Sequence, residues 1–236
     1  MMQDNEAKAD SWKMFDRISP TYDRLNRILS LGQDTRWRRR VAKYLPARAH
    51  LEILDLATGT GDQLMAIAKR SPSVHRMVGI DLSEEMMAIA RKKFKGTSYE
   101  NRVEFLHANA EKLPFKTAQF DAATFSFGIR NVPNPTHALS EMFRILKPQG
   151  RALILEFSMP QGALRPIVLT YLRSILPKIG AFFSKDAHAY RYLNRTIESF
   201  ASGKSFCQWM KDAGFKDVKQ ISMNFGAVSL YIGDKE

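Results

Sequence analysis

The feature that most constrains this chain is a short apolar run that stops at a pair of glycines and restarts as a helix. It reads Leu51-Glu-Ile-Leu-Asp-Leu-Ala57, then Thr58-Gly-Thr-Gly61-Asp62, and the next apolar run, 76–81, closes on Asp81. Such runs suit strands buried on both faces, joined by helices. Further strands are expected at 103–108, 120–127 and 151–157. Helices are expected at 62–70, from the Ser83 cap to Phe94, and at 136–146, the last ended by Pro148 and Gly150. Strands alternating with helices imply an α/β fold, a mostly parallel sheet covered on both faces. Residues 218–223 and 227–232 alternate like an antiparallel pair and bring the count to seven strands.

Two regions fall outside this rhythm. Residues 1–48 read as a helical cap segment, broken at Pro20 and Gly32. Two helical stretches, 163–176 and 187–200, form an insertion at about 160–200 within an α/β part spanning 49–236. The whole is expected to be one domain. The extra helices should lie over the carboxyl ends of the strands, where open α/β sheets bind ligands.

A glycine turn followed by an acid at the end of the next strand is a general adenosine-binding layout. Gly59 and Gly61 would let the backbone approach the ligand around Thr60, and Asp81 could accept both ribose hydroxyls. A dinucleotide fold asks for a third glycine where Leu64 stands. A pyrophosphate also needs a helix N-terminus free of negative charge, and Asp62 occupies it. An acid there tolerates the zwitterionic end of S-adenosylmethionine and could help hold its ammonium. S-adenosyl-L-methionine is therefore the expected cosubstrate. Asn109 and Ala110 close the third strand, where they could read the adenine edge, and Ser126 ends the fourth; plain strand-end turns are the simpler account of each alone.

Charge adds a second constraint. The chain carries 36 Lys+Arg against 24 Asp+Glu, a net charge of +12. The densest run is Arg36-Trp-Arg-Arg-Arg40 with Lys43, and a second basic segment, 165–195, is interleaved with aromatics and leucines. Basic residues mixed with large apolar ones suit an anionic membrane surface, although a solvated basic surface explains the charge equally well. Cys207 is the single cysteine, which excludes a disulfide framework within one chain. With a polar N-terminus and no apolar run of spanning length, the chain reads as cytoplasmic, peripheral at most on the inner face of a membrane.

Several blocks together resemble the ubiquinone/menaquinone biosynthesis C-methyltransferases. They include Tyr22-Asp-Arg-Leu-Asn26, Leu54-Asp-Leu-Ala-Thr-Gly-Thr-Gly-Asp62, Asn109-Ala-Glu-Lys-Leu-Pro-Phe115, Phe127-Gly-Ile-Arg-Asn-Val132, Leu155-Glu-Phe-Ser158 and Asp186-Ala-His-Ala-Tyr-Arg-Tyr-Leu193. The match runs in order from about Phe15 to Lys235. The glycine loop identifies only a superfamily; 127–132 and 186–193 are more specific. The resemblance implies the class I S-adenosylmethionine-dependent methyltransferase fold, with cofactor contacts at Thr60, Asp81, Asn109, Ala110 and Ser126. It implies a polyprenylated quinol as acceptor, demethylmenaquinol being the leading case, with the benzoquinol of the ubiquinone pathway open. The chain departs from the pattern at Thr58, Gln149 and Ile232, and at Asp34, which stands where the family usually has histidine.

Methylating an aromatic carbon requires that a neighbouring ring hydroxyl first lose its proton, which a quinol permits. The site needs a base, directly or through water, and a donor beside the developing phenolate. Arg130 and Asn131 follow the fourth strand and are the expected catalytic pair, Arg130 stabilising the phenolate or orienting a water and Asn131 holding the quinol oxygen. The plainer account of Arg130 is a structural ion pair. Tyr22, Asp23 and Tyr190 are expected at the substrate mouth, and Phe182-Phe183 with Leu176 and Ile179 could line a prenyl channel or simply pack. His50, His75, His107, His137 and His188 show no metal spacing, and no metal is expected; His188 alone lies in the cap as a substitute base. A methyltransferase acting on RNA, a shifted small-molecule acceptor and a non-catalytic binding protein are the rivals. No recognised RNA-binding module accompanies the domain, so no nucleic-acid partner is expected. The oligomeric state is left open.

Overall fold

The computed structural model describes residues 7–160, 162, 164–175 and 187–236, with 172, 175 and 187–191 described by backbone alone. In chain order the elements are α1 (Ser11–Leu29), α2 (Gln33–Val41), β1 (Leu51–Leu56), α3 (Asp62–Ala68), β2 (Val74–Asp81), α4 (Glu84–Phe94), β3 (Val103–His107), β4 (Phe120–Ser126), α5 (Pro135–Ile145), β5 (Leu146–Phe157), α6 (Leu164–Thr170), α7 (Ala187–Ser199), α8 (Lys204–Asp212), β6 (Lys216–Met223) and β7 (Val228–Asp234). The seven strands form one sheet in the order β3-β2-β1-β4-β5-β7-β6. All pairs are parallel except those of β7, which runs antiparallel to both β5 and β6. This is the class I methyltransferase arrangement.

Strand order reverses between β1 and β4, so a crevice opens at their carboxyl ends. The central strands earn that position by composition: every residue of β4 is buried, as its unbroken run Phe-Asp-Ala-Ala-Thr-Phe-Ser requires of a strand covered on both faces. Leu64, Ile67 and Phe94 of α3 and α4 fill one face against Leu51 and Ile53. Leu139, Met142, Phe206 and Met210 of α5 and α8 fill the other against Leu54, Phe125 and Ile154. Burying each such side chain contributes about 1.5–3 kcal/mol. Leu64, the residue that replaces a dinucleotide-type glycine, is one of these fully buried contacts.

Two expectations are corrected. Pro20 does not break the first helix; α1 runs through it without interruption. A proline inside a helix costs about 3 kcal/mol, and the offset is tertiary: Met14, Ile18, Leu25 and Leu29 of α1 pack against Val168, Tyr171 and Ile197. The fifth strand starts at Leu146 rather than 151. Leu146 pairs with Phe120, the ladder then shifts register with Gln149 in a left-handed conformation, and pairing resumes between Arg151 and Ala122. The Pro148–Gly150 turn thus interrupts a strand instead of ending a helix. The expected stretch 163–176 is a short helix continued by a π-helical turn at Tyr171–Ile175; residue 176 lies outside the described residues.

Candidate active site

At the sheet's reversal point β1 and β4 both leave through strained backbone. Ala57 (φ 48°) and Phe127 (φ 60°) are left-handed non-glycine residues, a conformation that costs on the order of 1–3 kcal/mol and clusters at ligand sites. Between these exits lies a cavity of about 210 Å³. Gly59 forms part of its wall at φ 55°, and a Cβ built there meets no protein atom. Gly61, at φ 77°, faces the opposite way: its Cβ would lie 3.1 Å from that of Ala90. The loop therefore presses one glycine onto α4 and turns the other toward open space, as a cradle for a close-fitting ligand requires.

Asp81 fixes the cradle's far side. Its Oδ2 accepts the Gly59 N–H at 2.8 Å and its Oδ1 accepts the Ser83 N–H at 2.9 Å. Each carboxylate oxygen keeps a further acceptor site, enough for a ribose diol. Burial pushes its carboxyl pKa up, against the lowering effect of those amides. Asn109, Ala110 and Ser126 line the same cavity, with Leu82, Met86, Val132 and Pro133 supplying apolar wall. Asn109 Oδ1 accepts the Glu111 N–H at 2.8 Å and so shapes the turn after β3. Ser126 donates to Gln63 Oε1 at 2.9 Å.

Helix α1 closes this cavity with Ser11, Trp12, Phe15 and Tyr22. It is held down by polar contacts to the loop beneath. Ser83 donates to Asp16 in a short hydrogen bond, Thr60 donates to Asp23 Oδ1 at 2.6 Å, and Lys93 pairs with both Asp23 and Asp62. Arg27 bridges Asp34 on one side and Asp62, at 3.1 Å, on the other. Burial alone would raise the Asp62 carboxyl, but the charges of Arg38, Lys93 and Arg27 hold it below the usual carboxylate range. Each Asp62 oxygen thus accepts from one cation, Oδ1 from Lys93 and Oδ2 from Arg27, and Asp62 lines neither cavity. Asp34 is likewise buried, its second oxygen accepting from Ser30 at 2.8 Å. It acts as an anchor for Arg27 where the family's histidine is expected.

A second, larger cavity of about 750 Å³ lies on the other side of Tyr22. It is walled by α1, α2, α6, α7 and the ends of β4 and β5, with Ile18, Leu25, Trp37, Phe157, Val168 and Leu193 prominent. Phe15, Tyr22, Phe127 and Asn131 line both cavities and form the partition between them. Arg130 is buried at 4% exposure on the larger cavity's wall. Its Nη1 donates to Glu156 Oε1 at 2.7 Å and to the Phe127 carbonyl at 2.6 Å, with the guanidinium over the Phe157 ring. Burial raises the Glu156 carboxyl although Arg130 pulls it down. Arg130 Nε and Asn131 Oδ1, a donor and an acceptor, are buried without a partner among the described residues.

The structure thus gathers Gly59, Asp81, Asn109, Ala110 and Ser126 on one cavity, Arg130 on the other, and Tyr22 and Asn131 on the partition. Thr60, Gly61 and Asp23 line neither; Thr60 and Asp23 bond each other. The backbone of Tyr190 and His188 lies in α7, but their side chains, like residues 176–186, lie outside the described residues. The other four histidines are exposed. Sequence reasoning missed Glu156, whose signal is a lone acid inside the apolar run Ala152–Phe157. It also missed Tyr192, which lines the larger cavity and whose phenol burial pushes up, and Arg27, which no local pattern marks.

Comparison with known proteins bears on the family and the fold. Residues 1–235 match the family described as the ubiE/COQ5 methyltransferase family. The chain is 43% identical, over 94% of its length and 87% of the relative's, to the ubiquinone/menaquinone biosynthesis C-methyltransferase UbiE of Geobacter sulfurreducens. It is 41% identical to the demethylmenaquinone methyltransferase of Thermus thermophilus, over 94% of this chain and all of the relative. In fold it is similar to a SAM-dependent methyltransferase of Thermotoga maritima, with TM-score 0.68, 21% identity and coverage of 95% and 100%.

Proposed function

This chain belongs to the ubiE/COQ5 methyltransferase family, and from that premise we propose how its two cavities divide the reaction. It is an S-adenosylmethionine-dependent C-methyltransferase that methylates the ring of a reduced polyprenyl quinol, with demethylmenaquinol the leading acceptor. The single observation that carries the reading is the shared wall: a small cradle carrying the Asp81 carboxylate and the Asn109 and Ser126 side chains meets a larger, more apolar cavity at Tyr22 and Asn131, beside the buried Arg130. A polar nucleoside and a lipid-tailed ring need opposite environments, and the transferred group must pass where the two touch.

S-adenosylmethionine, when bound, supplies an electrophilic methyl group. The residues that would hold it are Gly59, Asp81, Asn109, Ala110 and Ser126, with Thr60 and Gly61 shaping the loop from behind. On the acceptor side Asn131 Oδ1 accepts a hydrogen bond from the ring hydroxyl, and Arg130 Nε faces the oxygen as it gains charge. A guanidinium keeps its proton, so Arg130 stabilises the phenolate and a water carries the proton away. Glu156 holds the guanidinium in place, and because it is fully buried it keeps the charge local. Tyr22 and Tyr190 complete the mouth in this reading, while Asp23 acts indirectly by seating α1 on Thr60.

The apolar walls suit the prenyl tail. Residues 1–48 and the insertion at about 160–200 then act together as a cap on one catalytic domain. A polyprenylated acceptor resides in a bilayer, so the enzyme meets it as a peripheral protein at an anionic membrane surface; among the described residues no helix is long and apolar enough to cross one. The test is to incubate the protein with S-adenosylmethionine and chemically reduced demethylmenaquinone, or its benzoquinol counterpart, and measure the product mass. A gain of one methyl on the naphthoquinol is expected; no product from either acceptor overturns the assignment.

A further inference from the structure

Among the described residues four large hydrophobic side chains are exposed: Leu31, Leu164, Ile167 and Phe225. All four belong to three segments that converge on the larger cavity. Leu31 and Ile167 line the cavity while remaining 88% and 65% exposed, which places them at its mouth. Leu164 precedes Ile167 by three residues on α6. Phe225, 87% exposed, projects from a turn whose neighbours Asn224 and Ala227 line the same cavity. The segments are tied together: Trp37 Nε1 donates to Asn224 Oδ1 at 2.8 Å, and the Tyr171 hydroxyl donates to the Leu29 carbonyl at 2.9 Å.

Two of these residues are also held against backbone preference. Leu31 (φ 50°) and Phe225 (φ 56°) are left-handed, a conformation that asparagine or glycine adopts at lower cost. Bulky apolar residues in strained turns, pointed at water, are unfavourable for a protein that stays in water. The adjoining exposed charge is one-sided: from 31 to 43 the exposed charged residues are Arg36, Arg39, Arg40 and Lys43, and the one acid, Asp34, is buried. Arg36, Arg39 and Arg40 are exposed on α2, the helix that starts beside Leu31.

We propose that this rim is a docking surface for a phospholipid bilayer with anionic headgroups. The four apolar residues enter the interface, the α2 arginines meet lipid phosphates, and the cavity mouth opens directly onto the acyl region. This inference rests on the prenyl-quinol reading for its purpose, but its geometry is independent of it. Apolar side chains beside a basic helix bind such a surface through two additive forces, burial and charge.

The experiment is sedimentation of the full chain with vesicles of phosphatidylglycerol and phosphatidylcholine, or of phosphatidylcholine alone. Wild type is expected to pellet with the anionic vesicles and about tenfold less with the neutral ones. Two double variants, Phe225→Asn with Leu164→Gln and Arg39→Gln with Arg40→Gln, should each weaken binding to anionic vesicles about tenfold. Neither pair lines a cavity, so both should retain the unfolding temperature and the turnover of a short-tailed, water-soluble quinol. Wild type that ignores both vesicles, or variants that bind like wild type, overturn the proposal. So does a wild-type dimer that Phe225→Asn dissociates without changing vesicle binding, which would make the rim a contact between copies. If vesicle binding follows the variants but no quinol is methylated, the docking surface stands and the acceptor assignment falls.

Discussion

The two cavities are built by opposite means. The cradle takes its groups from the carboxyl ends of four neighbouring strands, at residues 57 and 59, 81–82, 109–110 and 126, and Asp81 fixes the backbone of the glycine loop. The larger cavity draws its wall from α1, α2, α6, α7, residues 127–131 and the turn before β7, segments far apart in the chain. A cradle of backbone groups can hold one ligand with little freedom to change. A wall of side chains from distant segments can alter its substrate by single substitutions; Asp34, on that wall, is held by Arg27 and Ser30.

If the division is right, damage to the two sides separates in kinetics. The largest effect is expected from Arg130→Ala, with turnover lower by about 10³-fold because the phenolate loses its cation and donor. The same change strands Glu156 in the core at a cost of about 3–5 kcal/mol. Arg130→Lys is therefore the cleaner probe: about 100-fold slower turnover with cofactor affinity within about threefold, since the charge remains and the fork is lost. Unchanged turnover in the lysine variant would return Arg130 to a structural role.

Asp81→Ala should do the reverse. Losing a carboxylate that ties Gly59 and Ser83 removes charge-assisted bonds of about 1.5–3 kcal/mol each, so cofactor Kd measured by calorimetry should rise about 100-fold. Turnover at saturating cofactor should change far less; if kcat collapses instead, the two cavities do not act separately.

The smallest effect sits beneath the partition, on stability. Asp55 is buried against the Thr58 and Thr124 hydroxyls, and burial pushes its carboxyl up to about 6 from 3.8. Because the folded value is the higher one, its stabilising contribution is complete below about pH 3.8 and is lost as pH rises through about 6. A shift of this size corresponds to roughly 3 kcal/mol. Asp55→Asn cannot ionise, so its Tm relative to wild type should climb by roughly 6 °C or more between pH 4 and pH 7. A constant difference across that range would show that Asp55 ionises as freely as in the unfolded chain.

The parts that were legible in the sequence are those whose cause is local. The strand runs, the glycine turn, the Ser83 cap and the C-terminal hairpin each follow from residues within a few positions, and all are present, the largest shift being the start of the fifth strand, from 151 to Leu146. The failures have non-local causes. Pro20 stays helical because α1 is held by Val168 and Ile197, far along the chain. Thr60 donates to Asp23, 37 residues earlier, a contact that nothing near the glycine loop announces. Glu156 and Arg130 are 26 residues apart, and only the β4–β5 pairing brings them together.

What the sequence by itself determined is the sheet, the loop and the identity of the methyl donor, because Leu64 and Asp62 exclude a dinucleotide from a loop that otherwise suits any adenosine ligand. Only the tertiary structure decided what Asp34, Arg27 and Asp23 do, and that Arg130 is half of a buried ion pair. It also decided that Leu31, Ile167 and Phe225 share one rim. The physical reason is the same throughout: backbone geometry is dictated by neighbours in sequence, whereas an ion pair or an apolar wall is dictated by neighbours in space.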